Sequence, residues 1–198
     1  MQAGDTEQLD RDDMARLLAG HDLALNAIMD RHAERLFHYL LRQLNNEADA
    51  ADLAHESFVR VFHNRARFRL DQRFSTWLFA IATNLLRDRF RWFKRHPEVS
   101  LETANETGAS LQDYLPDSAA SPSEQAEKRE REAEVRRAVQ SLPEELRTPL
   151  ILFEYEGLSQ AEIGTVLGCS AKAVEVRLYR ARGLLRKQLI KALQPFTF

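Results

Sequence analysis

A stretch of 27 residues without lysine or arginine divides the chain and limits each folded part to fewer than 100 residues. It covers residues 97–123, PEVSLETANETGASLQDYLPDSAASPS, and holds three of the six prolines. Many of its other residues are serine, threonine, alanine or asparagine, a composition that disfavours regular structure. We therefore predict two small domains, residues 1–96 and 124–198, joined by a flexible acidic linker over residues 97–123.

Apolar residues on both sides of this linker recur at three- and four-residue spacing, which is typical of amphipathic helices. Strand-like alternation is nearly absent, and the chain has only seven glycines and six prolines. We therefore predict an all-α fold. The helices expected in the N-terminal half cover residues 10–19, 22–44, 48–64 and 74–95. Gly20 is expected to end the first of these helices. Asp22 is expected as the N-cap of the second helix, and either Ser75 or Thr76 as the N-cap of the fourth.

The C-terminal half is expected to begin with a strongly charged helix near residues 123–142. Ser141 and Glu144 then have the spacing of a capping box, with Pro143 at the first turn of the next helix. Pro149 predicts a kink or a late start in that helix, because proline removes a backbone donor.

Composition narrows the class of protein. The net charge of −2 argues against a uniformly basic nucleic-acid binder, and a single cysteine, Cys169, excludes an intrachain disulfide and fits a reducing cytoplasm. The apolar runs are too short to span a bilayer, and the acidic N-terminus lacks the apolar core of a signal peptide. We therefore expect a cytoplasmic protein without membrane insertion. We expect no cofactor or metal, because the six histidines are scattered.

The clearest motif is GLSQAEIGTVLGCSAKAVEVRLYRARGLLRK, which covers residues 157–187. Ser159 and Glu162 have capping-box spacing at the start of a short helix, and Gly168 permits a tight turn after it. A longer helix is expected from residue 171 to about residue 189. Two helices joined in this way predict a helix–turn–helix that reads DNA.

Caps and apolar residues of the motif support this interpretation. Ser170 is placed to cap the second helix. Apolar side chains at helical spacing on that helix would face those of the first helix. The expected stripe is Val174, Leu178, Ala181 and Leu185, and the facing residues are Ile163, Val166 and Leu167.

Charge is segregated along the chain despite the small net value. Residues 172–191 carry seven cations and one anion, a charge of +6, and residues 84–95 carry five cations and one anion, a charge of +4. Residues 98–134 carry three cations and ten acids, a charge of −7. Because the first of these basic clusters coincides with the predicted reading helix, we expect that helix to contact DNA rather than only solvent.

Motifs in both halves resemble those of bacterial sigma factors, in the small two-domain extracytoplasmic-function group. In the C-terminal half, LPEELRTPLILFEYEGLSQAEIGTVLGCSAKAVEVRLYRAR resembles the promoter-reading domain, called region 4. In the N-terminal half, DLAHESFVRVF resembles the polymerase-binding helix of region 2, and FSTWLFAIATN resembles a second region 2 signature. The resemblance covers about residues 22–96 and 125–190. It implies core RNA polymerase, through its β′ and β subunits, and promoter DNA as partners, with an anti-sigma protein as regulator.

The resemblance also implies which side chains make contact. The duplex of the minus-thirty-five element would be read by Lys172, Glu175, Val176, Arg177, Tyr179, Arg180 and Arg182. The melted strand of the minus-ten region would be held by Phe68, Asn84, Arg87, Arg91 and Lys94, with Phe68 as the wall and Asn84 as the reader of a base pocket. Core polymerase would be bound by Asp52, His55, Glu56 and Arg60.

Three positions depart from the family pattern. His55 stands where glutamine is usual, and Glu175 and Val176 stand where a basic and a small polar residue are common. Glutamate accepts hydrogen bonds from cytosine and valine contacts the thymine methyl group. We therefore expect a promoter preference different from the commonest one in the group. The resemblance further implies that the genes served belong to a stress or envelope-response regulon.

Other interpretations remain open from the sequence. A conventional helix–turn–helix regulator would explain the C-terminal half but gives no reason for the aromatic and basic helix of the N-terminal half. An enzyme has little support: the chain has no phosphate-binding G-x-x-x-x-G-K-[ST] motif. Phe58 and Phe62 fit a core role as well as a polymerase contact, and Cys169 fits packing better than redox chemistry.

Overall fold

The computed structural model describes residues 3–96 and 122–193. All regular secondary structure in these residues is helical, which confirms the all-α prediction. A short 3-10 turn at Arg65–Arg67 follows the third helix. The helices are α1 (Ala3–Leu18), α2 (Ala24–Leu44), α3 (Glu47–His63), α4 (Phe74–Arg95), α5 (Pro122–Gln140), α6 (Glu144–Glu154), α7 (Gln160–Leu167) and α8 (Ala171–Leu193).

The predicted linker lies outside the described residues, apart from its last two positions. Residues 122 and 123 belong to α5, which begins at Pro122. Proline is favoured in the first turn of a helix, where its missing N–H has no partner to lose. The described helix therefore begins two residues before the predicted domain limit at residue 124.

Helices α1 to α4 form the N-terminal module around aromatic side chains. Tyr39 of α2 and Phe79 of α4 are fully buried, with ring centroids 5.1 Å apart in an edge-on arrangement. The Tyr39 hydroxyl lies 2.8 Å from Thr83 Oγ1, so the buried phenol keeps a hydrogen-bond partner. Burial raises the pKa of Tyr39 well above its usual value, and the phenol stays neutral at all ordinary pH.

A buried polar cluster fastens α1 to α2. His32 Nε2 lies 2.9 Å from the Asp10 carboxylate, and Arg31 Nε donates to the same group at 3.0 Å. Arg31 also donates to Asp13 at 2.8 Å. Because Asp10 and Asp13 are both buried, these partners supply the hydrogen bonds that water would otherwise provide.

Several predicted helix ends in the N-terminal module differ from the structure. Gly20 ends the first helix with φ of +92°, as expected, but that helix begins at residue 3 rather than 10. The predicted Asp22 cap is wrong: Leu23 is the N-cap of α2 and is already in a helical conformation. The predicted Ser75 or Thr76 cap is also wrong, because both lie inside the buried first turn of α4.

Helix α6 also begins differently from the prediction. Its N-cap is Pro143, without a side-chain hydrogen bond, and the Ser141 hydroxyl donates instead to the Ala138 carbonyl at 2.8 Å. The predicted capping box of Ser141 and Glu144 is therefore wrong. Pro149 lies inside α6, so the helix does not start late.

The helix–turn–helix matches its prediction residue by residue. Ser159 and Glu162 form the capping box of α7, Gly168 ends that helix with φ of +68°, and Ser170 Oγ accepts from the Ala173 N–H at 3.2 Å. The apolar stripe of α8 packs on α7. The most buried members of the stripe are Val174, Leu178 and Ala181, and they face the buried Ile163 and Val166 of α7.

Gly164 has a packing role that the sequence did not reveal. A Cβ atom at this position would lie 2.7 Å from the Cys169 carbonyl oxygen, closer than any real carbon contact. Only glycine lets the turn approach α7 this closely. Gly164 therefore helps to set the angle at which α8 leaves the turn.

The two modules lie against each other. Helix α4 packs on α7, and α2 packs on α6. Gln140 donates to the Arg42 carbonyl at 2.5 Å, and Thr148 donates to Gln43 at 3.4 Å across the same boundary. The α4 and α8 surfaces that were predicted to contact DNA are therefore positioned by contacts between modules as well as within them.

Candidate nucleic-acid and polymerase surfaces

Helix α8 presents one face to solvent opposite its buried stripe. Lys172, Glu175, Val176, Tyr179 and Arg180 are all exposed on that face, and Tyr179 is 81% exposed. Positions three and four apart on a helix share a face, so these side chains form one surface. A major groove about 12 Å wide admits such a helix.

Charge on this face is distributed unevenly. Lys172 Nζ lies 2.9 Å from the Glu175 carboxylate. Arg180 has no ion-pair partner among the residues that the structure describes. The Arg180 guanidinium is therefore the group best placed to make a bidentate contact with guanine.

Two predicted duplex contacts are held by neighbours in this structure. Arg182 donates to Glu154 at 2.7 Å. Arg177 is half-buried, with a nitrogen 3.6 Å from the Cys169 sulfur, and it lines a cavity of about 200 Å³ between the two modules. Neither guanidinium is free for a phosphate without a rearrangement.

The exposed face of α4 carries part of the predicted melted-strand site. Asn84, Arg91 and Lys94 are exposed, and Arg91 is paired with Asp88. A shallow depression on this face is lined by Asp88, Arg91, Lys94 and Arg95. These cations follow the helix surface in the manner of a track for a phosphate backbone.

A second depression, of about 280 Å³, lies where α3, the 3-10 turn and α4 meet. Asn84 lines it, as the predicted base reader should, together with the ring of Trp77. Arg60, Asn64, Arg67 and Asp88 complete its polar rim. An aromatic face beside amide and guanidinium donors can stack on a base and bond to its edge. The sequence missed Trp77 here because its helical spacing is equally typical of a core residue.

Phe68 does not form the predicted wall of that pocket. Phe68 is only 5% exposed. Its ring centroid lies 5.0 Å from that of Trp77 and 6.0 Å from that of Phe74. The chain after the 3-10 turn directs this ring inward, where apolar area is removed from water. Phe68 therefore supports Trp77 from behind and is not itself open to a base.

Arg87 also departs from its predicted role. It is half-buried against the C-terminal module and reaches the Leu167 carbonyl at 3.4 Å. Arg89, another cation of α4, is paired with Asp49 of α3 at 2.6 Å. Two of the five cations of this helix are therefore engaged in packing in this structure. The number of cations in the sequence of α4 is larger than the number on its exposed face.

The predicted polymerase surface is one continuous face of α3. Asp52, His55 and Arg60 are exposed and Glu56 is half-buried, and Arg60 Nε donates to Glu56 at 2.7 Å. Phe58 is buried in the core. Phe62 is partly buried beneath the Arg65 guanidinium, 4.3 Å from its ring centroid. Phe58 therefore lies in the core and Phe62 packs against it, which leaves the polar residues as the exposed part of this face.

Glu162 links the helix–turn–helix to the N-terminal module. Burial tends to raise its pKa, but hydrogen bonds from Ser159 and from Arg73 outweigh burial and leave the pKa below its usual value. The carboxylate accepts from Arg73 at 2.6 Å while it caps α7. A residue predicted only as a local cap thus also binds the other module.

No group of histidine, cysteine and acidic side chains in the described part of the chain has the arrangement of a metal site. None of the described helices combines the length and apolar character needed to cross a membrane.

Comparison with known proteins bears on both modules. The family model for sigma-70 region 2 matches residues 28–95, and the model for sigma-70 region 4 matches residues 132–185. The two matches occur in the order that the motifs suggested. They fall on the modules that carry the α3 and α4 faces and the helix–turn–helix, respectively.

Similarity extends over nearly the whole chain. The RNA polymerase sigma-H factor of Pseudomonas aeruginosa is 32% identical over 190 residues, which cover 96% of each protein. The ECF RNA polymerase sigma factor SigW of Bacillus subtilis is 32% identical over 170 residues, covering 86% of this chain and 91% of SigW.

Solved structures agree with the fold. CnrH, in complex with the cytosolic domain of CnrY, is 28% identical with a TM-score of 0.67, covering 94% of this chain and 99% of CnrH. RpoE of Bartonella quintana, in complex with the anti-sigma factor NepR, has a TM-score of 0.63 at 18% identity, covering 84% and 97%, and supports the fold alone. The chain belongs to the extracytoplasmic-function family of sigma factors, which bind core RNA polymerase and direct it to promoters.

Proposed function

We propose that three faces divide the work of this sigma factor, with Arg60 at the point where the first of them meets the depression beside Trp77. The α3 face of Asp52, His55, Glu56 and Arg60 binds core polymerase. The α4 face and its depression hold the melted minus-ten strand, and the outer face of α8 reads the minus-thirty-five duplex. The observation that carries this proposal is that all three faces are exposed on helices whose opposite faces are buried in the core.

The melted strand requires a site that recovers part of the stacking energy lost on opening the duplex. The depression beside Trp77 offers an aromatic ring for stacking and Asn84 for a base edge. Arg91 and Lys94 extend from it along α4, where they would neutralise phosphates. We assign the stacking role to Trp77 in place of Phe68.

The duplex site combines one strong hydrogen-bond donor with two unusual neighbours. Arg180 is the candidate for a guanine contact, while Glu175 would accept from cytosine and Val176 would touch a thymine methyl group. The exposed Tyr179 lies between them on the same face. Arg177 and Arg182 would join the backbone contacts once their present partners release them. This arrangement supports a promoter preference specific to this protein.

The domain limits follow from the same proposal. Residues 1–96 act as region 2, residues 124–198 as region 4, and the intervening segment as a tether. We further propose that the protein works in the cytoplasm as a non-enzymatic initiation factor and serves a stress or envelope-response regulon.

An anti-sigma protein is the proposed regulator, as the NepR and CnrY complexes of structural relatives suggest. A groove of about 360 Å³ crosses both modules beside α5. Its apolar side chains are Leu41, Val135, Val139 and Tyr155, and arginines at its edge include Arg42 and Arg136. This pattern is complementary to an amphipathic helix with acidic flanks. Val135→Glu should weaken the inhibition of transcription by the proposed anti-sigma protein. Leu184→Glu, at an equally exposed position outside the groove, should leave that inhibition unchanged.

Run-off transcription with core polymerase on a promoter library tests the proposed function. The purified chain should give transcripts from a subset of templates that share two spaced elements. Asp52→Lys should lower affinity for core polymerase in a pull-down without changing the affinity of the C-terminal helix for duplex DNA. Loss of both activities together would contradict the division of faces.

A further inference from the structure

The single acidic side chain of α4 lies on the face that is proposed to hold melted DNA. Asp88 is the one aspartate or glutamate among the 22 residues of this helix. It lines the depression beside Trp77, and it also lines the shallow depression of Arg91 and Lys94 farther along α4. Among the residues that the structure describes, no other acid lines either depression. A carboxylate repels phosphates, so Asp88 weakens the general attraction of this face for DNA.

Helical spacing places Asp88 at the end of the depression opposite Trp77. Residues 77, 81, 84 and 88 follow one another at three- and four-residue steps, so they share one face of α4. Asn84 lies one turn before Asp88. Trp77 lies eleven residues before it, a distance of about 16 Å along the helix axis. A base stacked on Trp77 therefore does not reach Asp88, and the carboxylate is left for the neighbouring nucleotide of the strand.

The carboxylate of Asp88 is open to a further hydrogen-bond donor. Its side chain is 62% exposed, and that of its partner Arg91 is 73% exposed. The contact joins an Arg91 nitrogen to one carboxylate oxygen, Oδ1. Ion pairs between side chains this exposed contribute little to stability. Because each carboxylate oxygen accepts hydrogen bonds, a donor on a base can bond to Asp88 with or without release of Arg91.

An ionised carboxylate accepts hydrogen bonds and donates none, which limits the bases that suit it. The exocyclic amines of cytosine, adenine and guanine are donors. Thymine has no amine, and its one ring N–H lies between two carbonyl oxygens, which a carboxylate repels. Across the depression, Arg60, Asn64 and Arg67 supply donors for the acceptor atoms of the same base. The two walls are thus complementary to a base that carries an amine beside acceptors.

We propose that Asp88 is a specificity-determining residue of the melted-strand site. Its carboxylate accepts a hydrogen bond from the exocyclic amine of the nucleotide next to the one at Trp77, and it rejects thymine there. The inference rests on the proposed assignment of the α4 face to the melted strand. The site then distinguishes bases at a second nucleotide, and Asp88 exchanges part of the general attraction for phosphates for selection among bases.

A pool of non-template single strands, randomised over the minus-ten region, tests the proposal with holoenzyme formed from the full chain and core polymerase. Sequencing of the bound strands gives the base preference at each position. Wild-type holoenzyme should disfavour thymine about tenfold at one position. Asp88→Ala should remove that discrimination and keep the preferences at the other positions.

An abasic nucleotide locates the discriminating position relative to Trp77. Placed at the nucleotide that stacks on Trp77, it should weaken binding of the wild type but not of Trp77→Leu, because that variant has already lost the stacking platform. The position that disfavours thymine should be the immediate neighbour of this nucleotide. A separation of several nucleotides would contradict the placement of Asp88.

Base analogues isolate the amine. At the discriminating position, the preferred base is replaced by its counterpart without the amine: uracil for cytosine, purine for adenine or hypoxanthine for guanine. The replacement should weaken binding of the wild type about tenfold in fluorescence anisotropy and should not affect Asp88→Ala. Asp88→Asn should admit thymine, because an amide donates as well as accepts.

Asp71→Ala is the matched control. It removes the carboxylate of another exposed pair in the same module, since Asp71 is 66% exposed and its Oδ2 lies 2.6 Å from Arg69. Asp71 lines neither depression. Both variants free an arginine, but only Asp88→Ala should lose the discrimination against thymine. Alanine is the strongest helix former, so Asp88→Ala should keep the melting temperature of the wild type.

The outcomes separate this specificity from the assigned function. The role of Asp88 is overturned if wild-type holoenzyme accepts thymine at the position next to the Trp77 nucleotide, or if Asp88→Ala discriminates as the wild type does. If Asp88→Ala fails to fold, unchanged rejection of thymine by Asp88→Asn overturns it equally. If wild-type holoenzyme gives no run-off transcript and enriches no sequence, the assignment of the α4 face itself fails, whatever Asp88 does.

Discussion

Helices α4 and α8 both carry clustered cations, but they use them differently. On α8 the buried stripe and the charged face are opposite each other, and Arg180 has no ion-pair partner in the described part of the chain. On α4, Arg87 and Arg89 are drawn into contacts with α7 and α3, and Arg91 is paired with Asp88. The same composition thus gives one helix with an open cationic face and one helix whose exposed charge depends on its neighbours.

This difference reflects what each form of DNA requires. A paired duplex offers a regular groove, which a single rigid helix can enter. A melted strand offers loose bases and a flexible backbone, which need a depression built from several elements. The Trp77 depression takes residues from α3, the 3-10 turn and α4. The depression contains no residue of α8, so substitutions can change it without altering the α8 face itself.

The largest effect is expected on stability, from Gly164→Ala, which changes only the helix–turn–helix. The added Cβ would clash with the backbone carbonyl of Cys169, and overpacking of this kind costs about 3 kcal/mol. Thermal unfolding followed by circular dichroism should show the loss. Gly183→Ala, where a Cβ would meet nothing within 4 Å, should leave stability unchanged or slightly higher. Equal melting temperatures of the two variants would show that the close approach of the Cys169 carbonyl to Gly164 does not matter for stability.

Arg180→Ala should remove a base contact worth about 2 kcal/mol, or roughly thirtyfold in affinity for the minus-thirty-five duplex. Affinity for core polymerase should not change, because α3 carries that surface. Fluorescence anisotropy with a cognate duplex and a scrambled one measures the effect. A uniform loss on both duplexes would reassign Arg180 to the phosphate backbone.

Trp77→Leu should act on the other helix and lower open-complex formation by about 1–2 kcal/mol, as expected for a lost stacking platform. Leucine keeps the contact with Phe68 apolar, so melting temperature serves as the control for folding. Binding to the minus-thirty-five duplex should be unaffected. An unchanged yield of open complex would place the base pocket elsewhere.

The smallest effect is expected from Lys94→Ala, which removes one exposed cation from the α4 track. Single-strand binding should keep its sequence preference, and its logarithmic salt dependence should become shallower by about 0.7. Titrations at several salt concentrations measure this slope. A changed sequence preference would indicate a base contact instead.

Local signals explain why the helix–turn–helix was predictable in detail. The Ser159 and Glu162 box, the left-handed Gly168 and the Ser170 cap all act within four residues of their partners. Where a local signal competed with tertiary packing, packing decided the outcome. Thr76 points to Glu162 of the other module, with 3.4 Å between Oγ1 and Oε1, instead of capping α4.

The parts of the site that the sequence did not reveal depend on distant neighbours. The inward path of Phe68 is set by its packing on Phe74 and Trp77. The burial of Glu156 requires arginines more than 110 residues earlier in the chain. Neither periodicity nor composition records such contacts. The sequence therefore indicated the exposed faces of α3 and α8, but not the depression beside Trp77 or the module boundary.

Permanganate footprinting of a promoter tests most directly whether the two modules meet two forms of DNA. With core polymerase and the wild-type protein, thymines of the minus-ten region should become reactive while the minus-thirty-five element stays paired. Trp77→Leu should reduce that reactivity with the upstream element still protected. Absence of reactive thymines on every transcribed template, or reactivity that is the same with core polymerase alone, would contradict the account.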